Sequence, residues 1–570
     1  MKLFIEYLRP NFRRMSLGMF IKFIGAIMDL LLPWILAYII DSVIPTKKIP
    51  LVIWWGVAML ACSVVAIVTN VVANRMAARV ARDTTEKVRH DLFAKVSLLS
   101  TTQFEEVGLP SLVSRLTTDT YNIHQSIGMS QRIGIRAPIL LLGGIFITFT
   151  LDPILTWVLI GVLPFTVATV YFVSKKGIPL FTKLQVQIDK LVRTVRENIT
   201  GARVIKALSK TPYEIGRFTQ VNDELVAAET KANQVMALTS PFMNFFLNGG
   251  LTLVILVAAY RVNDGLTQPG VIVAFLTYFT IILNAMLSIT RIFVSFSRGL
   301  ASADRIQGVL RLKPDLKVVP DGTVVKASVP QVVFKNVSFN YPNGGKVVTD
   351  LNFAVPKGTT LGIIGGTGTG KTTIIKLLLR LYDATKGEIQ IAGRDIKSIP
   401  EKELHQMFGV AMQKDKIFAD SILNNIVFGR EITPEQVQEA LVAAQAQEFV
   451  EKLPEGLDYQ LKSNGSNLSG GQRQRVLLAR ALAGPPEILI LDDSSSALDY
   501  KTDAQLRKAL RQLQDTTKIL IAQRISSIQH ADQIIVLVKG QIAGLGTHEN
   551  LLQTCPEYQA IYLSQGGAVA

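Results

Sequence analysis

The sequence predicts a chain of two unlike parts: an α-helical membrane domain, then an α/β domain with a largely parallel sheet. Two observations carry this. Six apolar runs lie in the first three hundred residues, each near the roughly twenty residues a bilayer span needs. From about residue 331, shorter strand-like runs alternate with helical ones. The chain of 570 residues is 49% hydrophobic with a net charge of +16. That is too apolar for an ordinary soluble protein and too charged for one wholly in lipid.

The expected transmembrane helices cover residues 15–40, 51–72, 133–151, 154–173, 235–260 and 271–296. Three connections are short: DSVIPTKKIP, LDP and RVNDGLTQPG. The other two are long, helical in pattern and basic. The first carries Arg75, Arg79, Arg82 and Lys87 among others, the second Lys175, Lys176, Lys183 and Lys190. Basic residues mark the cytosolic side, which places the long loops and both termini inside a cell membrane. Gly108-Leu109-Pro110 breaks the first long loop and Lys210-Thr211-Pro212 the second, so a short crossing helix is expected at each tip. The opening MKLFIEYLRPNFRRM suits a helix at the lipid surface. No cleavage site follows the first apolar run, which is too long for a signal peptide.

Several classes are set aside. The positive charge fits positive-inside loops, and no zinc-finger spacing or RNP motif points to nucleic acid. Cys62 and Cys555 give no disulfide framework, and the five histidines have no ligand spacing. The chain divides as a membrane domain over residues 1–310, a Pro- and Gly-bearing linker over 311–330 and an α/β domain over 331–570.

The α/β part carries the chemistry. Gly365, Gly366, Thr367, Gly368, Thr369, Gly370, Lys371 and Thr372 fit G-x-x-x-x-G-K-[ST], between the strand-like TLGII and the helical TTIIKLLLRLY that begins at Thr372 and Thr373. That context defines a P-loop. Glycines let backbone N–H groups curl around phosphates, and the helix N-terminus adds its positive end. Lys371 is placed for the β- and γ-phosphates and Thr372 for Mg²⁺. In EILILDD a buried strand ends in Asp492, a second acid suited to holding the metal. Between them, SNLSGGQRQRVLLARAL opens a helix at Ser469-Gly470-Gly471 with no bulky side chain at its mouth, an anion-binding end.

P-loop, LSGGQ and Walker B strand in this order resemble the nucleotide-binding domain of ATP-binding cassette (ABC) transporters. With six preceding spans and two long loops, the chain is similar over nearly its whole length to a half-size exporter of that family, with the type I exporter fold. The resemblance implies ATP and Mg²⁺ as cofactors. It implies Tyr341 as the adenine-stacking ring and Gln413 as the glutamine that touches Mg²⁺. Ser496-Ala497-Leu498-Asp499 looks like the family's D-loop. SRLTTDTYNI and VRENITGARVIKAL resemble its cytosolic loops, whose tips dock on the nucleotide domains.

Three positions depart from the family pattern. Asp493 stands where active members carry glutamate, and Gln523 where they carry the switch histidine. Ser463 stands where many exporters place a glutamate. Aspartate is shorter than glutamate by one carbon–carbon bond, about 1.5 Å, and a misplacement of about 1 Å can cost on the order of a hundredfold in rate. Glutamine has no protonated form to stabilise transferring charge. Binding groups are complete and hydrolysing groups weakened. The expectation is the degenerate-site half of a bacterial heterodimeric multidrug exporter. Its partner is a second half-transporter with the glutamate and histidine, to whose ATP this chain lends Ser469 and Gly471. The alternatives are a homodimeric exporter or lipid flippase, or a membrane-anchored ATP-binding regulator. In the spans, Asp29 and Arg291 are charges expected to line a cavity. Asn244, Asn248 and Asn284 are polar points that equally suit helix–helix hydrogen bonds. A mostly apolar cavity suits amphipathic small molecules or lipids.

Overall fold

The computed structural model describes residues 2–319, 329–342, 344–413, 415–494 and 498–566. Contacts group it into two units, Met1–Ser97 with Pro110–Leu312, and Leu98–Leu109 with Lys313–Ala570.

In the first unit six helical stretches are long and apolar enough to cross a membrane: Ile5–Thr46, Ile49–Ser97, Leu109–Leu151, Pro153–Thr200, Thr211–Asn263 and Pro269–Leu310. Each contains one expected span, and several run far beyond it. Helix Ile49–Ser97 has 49 residues, about 70 Å at 1.5 Å per residue. Small residues bring these helices close. Ala66, Ala73, Ala77 and Ala81 are all buried, and a Cβ at Gly25 would meet Thr69 Oγ1 at 2.7 Å. Tyr278, fully buried, donates a 2.5 Å hydrogen bond to the Leu30 carbonyl. The LDP connection is tied by Asp152. Its carboxylate caps the following helix through the N–H groups of Ile154 and Leu155, and accepts from Arg261 Nε at 2.9 Å.

Both expected loop breaks are present. Helix Thr101–Val107, N-capped by Ser100, ends at Gly108 with φ +78°, a backbone that favours glycine. In the second loop, helix Ala202–Ala207 precedes Thr211–Ala237, with Pro212 in its first turn.

The described residues of the second unit form ten strands: β1 (Val332–Asn340), β2 (Lys346–Val355), β3 (Thr360–Gly365), β4 (Lys386–Ile391), β5 (Arg394–Asp395), β6 (Phe408–Ala411), β7 (Ile488–Asp492), β8 (Thr517–Ile521), β9 (Gln533–Val538) and β10 (Gln541–Gly546). They form two sheets, ordered β2-β1-β4-β5 and β10-β9-β3-β8-β7-β6. In the second sheet β3, β6, β7, β8 and β9 pair in parallel, and β10 joins β9 antiparallel. The expected largely parallel sheet is thus joined by a second, antiparallel one, to which the first strand-like run after residue 331, VVFKNVSFN, belongs as β1. Alternating apolar residues report a strand but not its partner's direction.

Two cores follow. One joins both sheets to the helix after the P-loop, through Ile374, Ile375, Leu377 and Leu378. The other fills a helical lobe from Ile422 to Leu482 and reaches the sheet through Leu489 and Leu491. β7 serves both, with all five of its residues buried.

Candidate functional site

The parallel order β3-β8-β7-β6 sets side by side the ends from which the expected site residues project. β3 runs into the P-loop at Gly365, and the helix Lys371–Leu378 starts beyond it. β6 leads to Gln413, β7 delivers Asp492 and Asp493, and β8 leads to Gln523.

The P-loop is a cradle without side chains at its centre. Gly368 and Gly370 have φ of +81° and +99°, and Gly368 faces open space. A Cβ at Gly370 would meet Val348 Cγ1 at 2.6 Å, and one at Gly365 the Leu537 carbonyl at 2.4 Å. Thr369 closes the turn with a 3.0 Å bond to the Gly366 carbonyl, and Lys371 Nζ donates to the carbonyls of Gly365 and Gly366 at 2.7 and 2.8 Å. Burial lowers the Lys371 pKa, against the pull of Asp492 and Asp493. The exposed Thr372 hydroxyl lies 3.3 Å from Asp492 Oδ2. A phosphate chain fits this cradle, and the hard oxygens beside it suit Mg²⁺.

Asp493 is the centre of the neighbouring corner. Its backbone is left-handed, φ +48°, a conformation Asp tolerates better than most residues. One oxygen, Oδ2, accepts from Gln523 Nε2 at 3.2 Å and from Gln413 Nε2 at 3.4 Å. Two of the three departures from the family pattern, Asp493 and Gln523, therefore touch each other, and Gln413 touches the first. Burial raises the pKa of both Asp492 and Asp493. The Thr372 hydroxyl opposes it at Asp492, and Arg524 and Lys371 oppose it at Asp493. Gln565, near the C-terminus, clamps the Gln523 segment by donating to its carbonyl at 2.8 Å and accepting from Ile525 N–H at 2.8 Å.

The signature residues belong to the helical lobe. Ser469 N-caps helix Gly470–Leu482 in a capping box with Gln472. Gly470 has open space around it, and Gly471 follows in the first turn. This is the exposed, side-chain-poor helix mouth that the LSGGQ pattern requires. Of the D-loop, Ser496 and Ala497 lie outside the described residues; Asp499 caps helix Tyr500–Gln512.

Tyr341 is part of an aromatic cluster. Tyr382 meets its ring edge-on at 5.3 Å, and Phe339 does so at 4.9 Å. Lys376 Nζ lies 5.2 Å from the Tyr341 ring and 5.6 Å from that of Tyr382. Sequence reading missed Tyr382, Lys376 and a further contact. The Tyr382 hydroxyl donates to Glu105 at 2.8 Å. The tip of the first long loop is thus packed on this domain, secured also by Ser100 to Asp315 at 2.7 Å and Gln103 to the Lys313 carbonyl at 2.6 Å. A hollow of about 840 Å³ beside Gln438 and Lys508 contains none of these groups.

Asp29, expected to line a cavity, is paired with a charge on another helix. It accepts from Arg136 Nη2 at 2.8 Å and Nε at 3.2 Å. Arg136 lies inside an expected span, as does Lys22, and both were missed there. Arg291 is exposed.

Comparison with known proteins agrees with this arrangement. Residues 15–286 match the family model of the ABC transporter transmembrane region, and residues 348–496 the ABC transporter model. The chain is 32% identical over 565 residues to the uncharacterized ABC transporter ATP-binding protein YfiB of Bacillus subtilis, covering 99% of this chain and 98% of the relative. It is 29% identical to the ATP-dependent lipid A-core flippase of Syntrophus aciditrophicus, covering 99% and 94%. Its fold matches the structure of a bacterial Atm1-family ABC exporter with ATP bound, with a TM-score of 0.82 at 24% identity over 99% of both chains. The chain belongs to the ABC transporter family, as a half-size, multi-pass, ATP-driven member with the exporter fold.

Proposed function

We propose that this chain is one half of a heterodimeric exporter of amphipathic compounds and carries the degenerate ATP site. The observation that carries the reading is the Asp493–Gln523 contact at 3.2 Å beside a complete phosphate cradle. On this reading Gly365 to Thr373 wrap the phosphates, Lys371 neutralises their charge and Tyr341 stacks on adenine. Thr372, Gln413 and Asp492 would hold Mg²⁺, which when bound shields the β- and γ-phosphate charge.

The hydrolytic step needs a carboxylate that orients and polarises water, and a neighbour that stabilises the departing charge. Asp493 reaches about 1.5 Å less far than glutamate. Two amide donors already share its Oδ2, which makes that oxygen a weaker acceptor for a water proton. Gln523 donates to Asp493, so its amide is turned to the carboxylate. The site holds ATP and turns it over slowly. Ser469 and Gly471 present their helix mouth to the partner's ATP, where the partner supplies glutamate and histidine. The basic long loops support a cell-membrane location with both termini and the nucleotide domain in the cytoplasm.

The test uses the purified full-length chain alone in lipid. It should bind ATP with Mg²⁺ and hydrolyse it very slowly. Turnover at a rate typical of transporters from the unmodified chain would overturn the degenerate-site reading and favour a homodimer.

A further inference from the structure

The membrane unit contains a hollow of about 640 Å³, a size that suits a small amphiphile. Lys22, Arg132 and Arg136 line it. Among the described ion pairs one carboxylate answers them: Asp29, paired with Arg136 at 2.8 Å. Lys22 is 3% exposed, and the described ion pairs do not include it. Two neutral amides hold it instead, Asn70 Oδ1 at 2.7 Å and Asn74 Oδ1 at 2.9 Å. Arg132 donates through Nε to its own helix, at the Gly128 carbonyl, 3.0 Å away.

A charge at bilayer depth is costly and persists where it serves a ligand or pathway. Here the positive charge exceeds the negative by two, counting Lys22, Arg132 and Arg136 against Asp29. The backbone is shaped around these groups. The helix is interrupted at 133–135 between Thr120–Arg132 and Arg136–Leu151. A Cβ at Gly134 would come within 2.3 Å of the Ser130 carbonyl, so only glycine fits this break. The break sets both arginines on the wall of one hollow.

Opposite charges and apolar surface meet there. Leu140, Ile281 and Ala285 line the hollow, and Asn284 and Ser288 add hydrogen-bonding groups. Arg136 opens its 16-residue helix, so it stands about 22 Å from the far end along the axis, against a hydrocarbon core of about 30 Å. The cations therefore lie near one edge of that core, on the side of the long loops.

We propose that this hollow binds the oxyanion headgroup, phosphate or carboxylate, of an amphiphile whose tail lies on the apolar wall. Lys22 and Arg132 are the contacts left available, and Asp29 restrains Arg136. The site rests on the exporter reading only for what it does with the ligand.

The experiment measures binding by the intact chain in phosphatidylcholine nanodiscs, without nucleotide. Dodecyl phosphate, dodecyltrimethylammonium and dodecyl maltoside are compared by equilibrium dialysis. Dodecyl phosphate should bind at least about tenfold tighter than the other two. Lys22→Met and Arg132→Gln should each weaken it by about tenfold, while Asp29→Asn should leave it equal or tighter. Arg132→Gln keeps the test decisive if Lys22→Met fails to fold. Competition by phosphatidylglycerol would identify a membrane lipid as the source of the headgroup; its absence would leave a partitioning amphiphile. Equal affinity for the three detergents, binding unaffected by Arg132→Gln, or equal competition by inorganic phosphate would overturn the proposal. If the anion binds as described but ATP drives no movement of it with any partner, the exporter reading fails and the site stands.

Discussion

The loop after β3 and the corner at the ends of β7 and β8 are neighbours on one sheet, yet they differ in kind. The loop keeps glycines at positive φ, a lysine and a hydroxyl in a cradle that a phosphate chain fits. The corner holds Asp493 and Gln523, where the family resemblance implies a glutamate and a histidine, and joins them by a hydrogen bond. Holding a triphosphate depends on backbone N–H groups and a charge. Splitting it depends on a carboxylate placed to within about an ångström. A one-carbon change can therefore remove turnover and leave binding intact.

The comparison breaks most sharply at the signature helix. Ser469→Ala with Gly471→Asp removes donors aimed at developing negative charge, typically about 3–4 kcal/mol or a hundredfold or more in rate. In the assembled heterodimer this should nearly abolish steady-state ATPase. Retained activity with nucleotide bound at both sites would mean that Ser469 and Gly471 do not serve the competent site.

Restoring the corner is the next largest effect. Asp493→Glu with Gln523→His should raise turnover at this chain's own site by up to about a hundredfold. Single-turnover hydrolysis, with the partner's glutamate replaced by glutamine, isolates that site. No gain would place the defect elsewhere, Ser463 being the next position to restore.

Lys371→Ala attacks the cradle itself. On the degenerate-site reading it weakens ATP holding at a site that contributes little turnover, so the ATPase of the proposed heterodimer should fall only partly. A loss as severe as the signature variant's, with ATP still on the partner's P-loop, would show that the two sites work as equals.

What the sequence discloses follows from how local the chemistry is. The P-loop, the β7 acids and the signature helix are consecutive residues, so their pattern survives without coordinates. The antiparallel sheet was hidden because β1, β2 and β4 pair across long separations, Val332 with both Val355 and Ile391. Lys22 and Arg136 were hidden for another reason. Span detection averages over about twenty residues, and a single charge in an apolar run barely changes the average. The Asp493–Gln523 contact lay between these cases. Each residue was marked by its departure from the family pattern, but their touching depends on adjacent strand ends.

The smallest predicted effect concerns how the cradle is tied to the loop tip. Tyr382 meets the Tyr341 ring edge-on and donates to Glu105, 277 positions away in sequence. Tyr382 is 3% exposed, and burial and the Glu105 carboxylate both raise its pKa, so the phenol stays a donor at neutral pH. Tyr382→Phe keeps the ring contact with Tyr341 and deletes the donor, a net loss of about 1 kcal/mol for one hydrogen bond. Glu105→Gln keeps an acceptor oxygen and removes the charge. If the hydrogen bond couples the tip to the nucleotide, Tyr382→Phe should lower substrate-stimulated ATPase a few-fold while ATP affinity changes little, and Glu105→Gln should do less. Equal effects of the two variants would assign the coupling to the Glu105 charge. A fall in ATP affinity alone would make Tyr382 a support for the Tyr341 ring and leave the tip without a role in coupling.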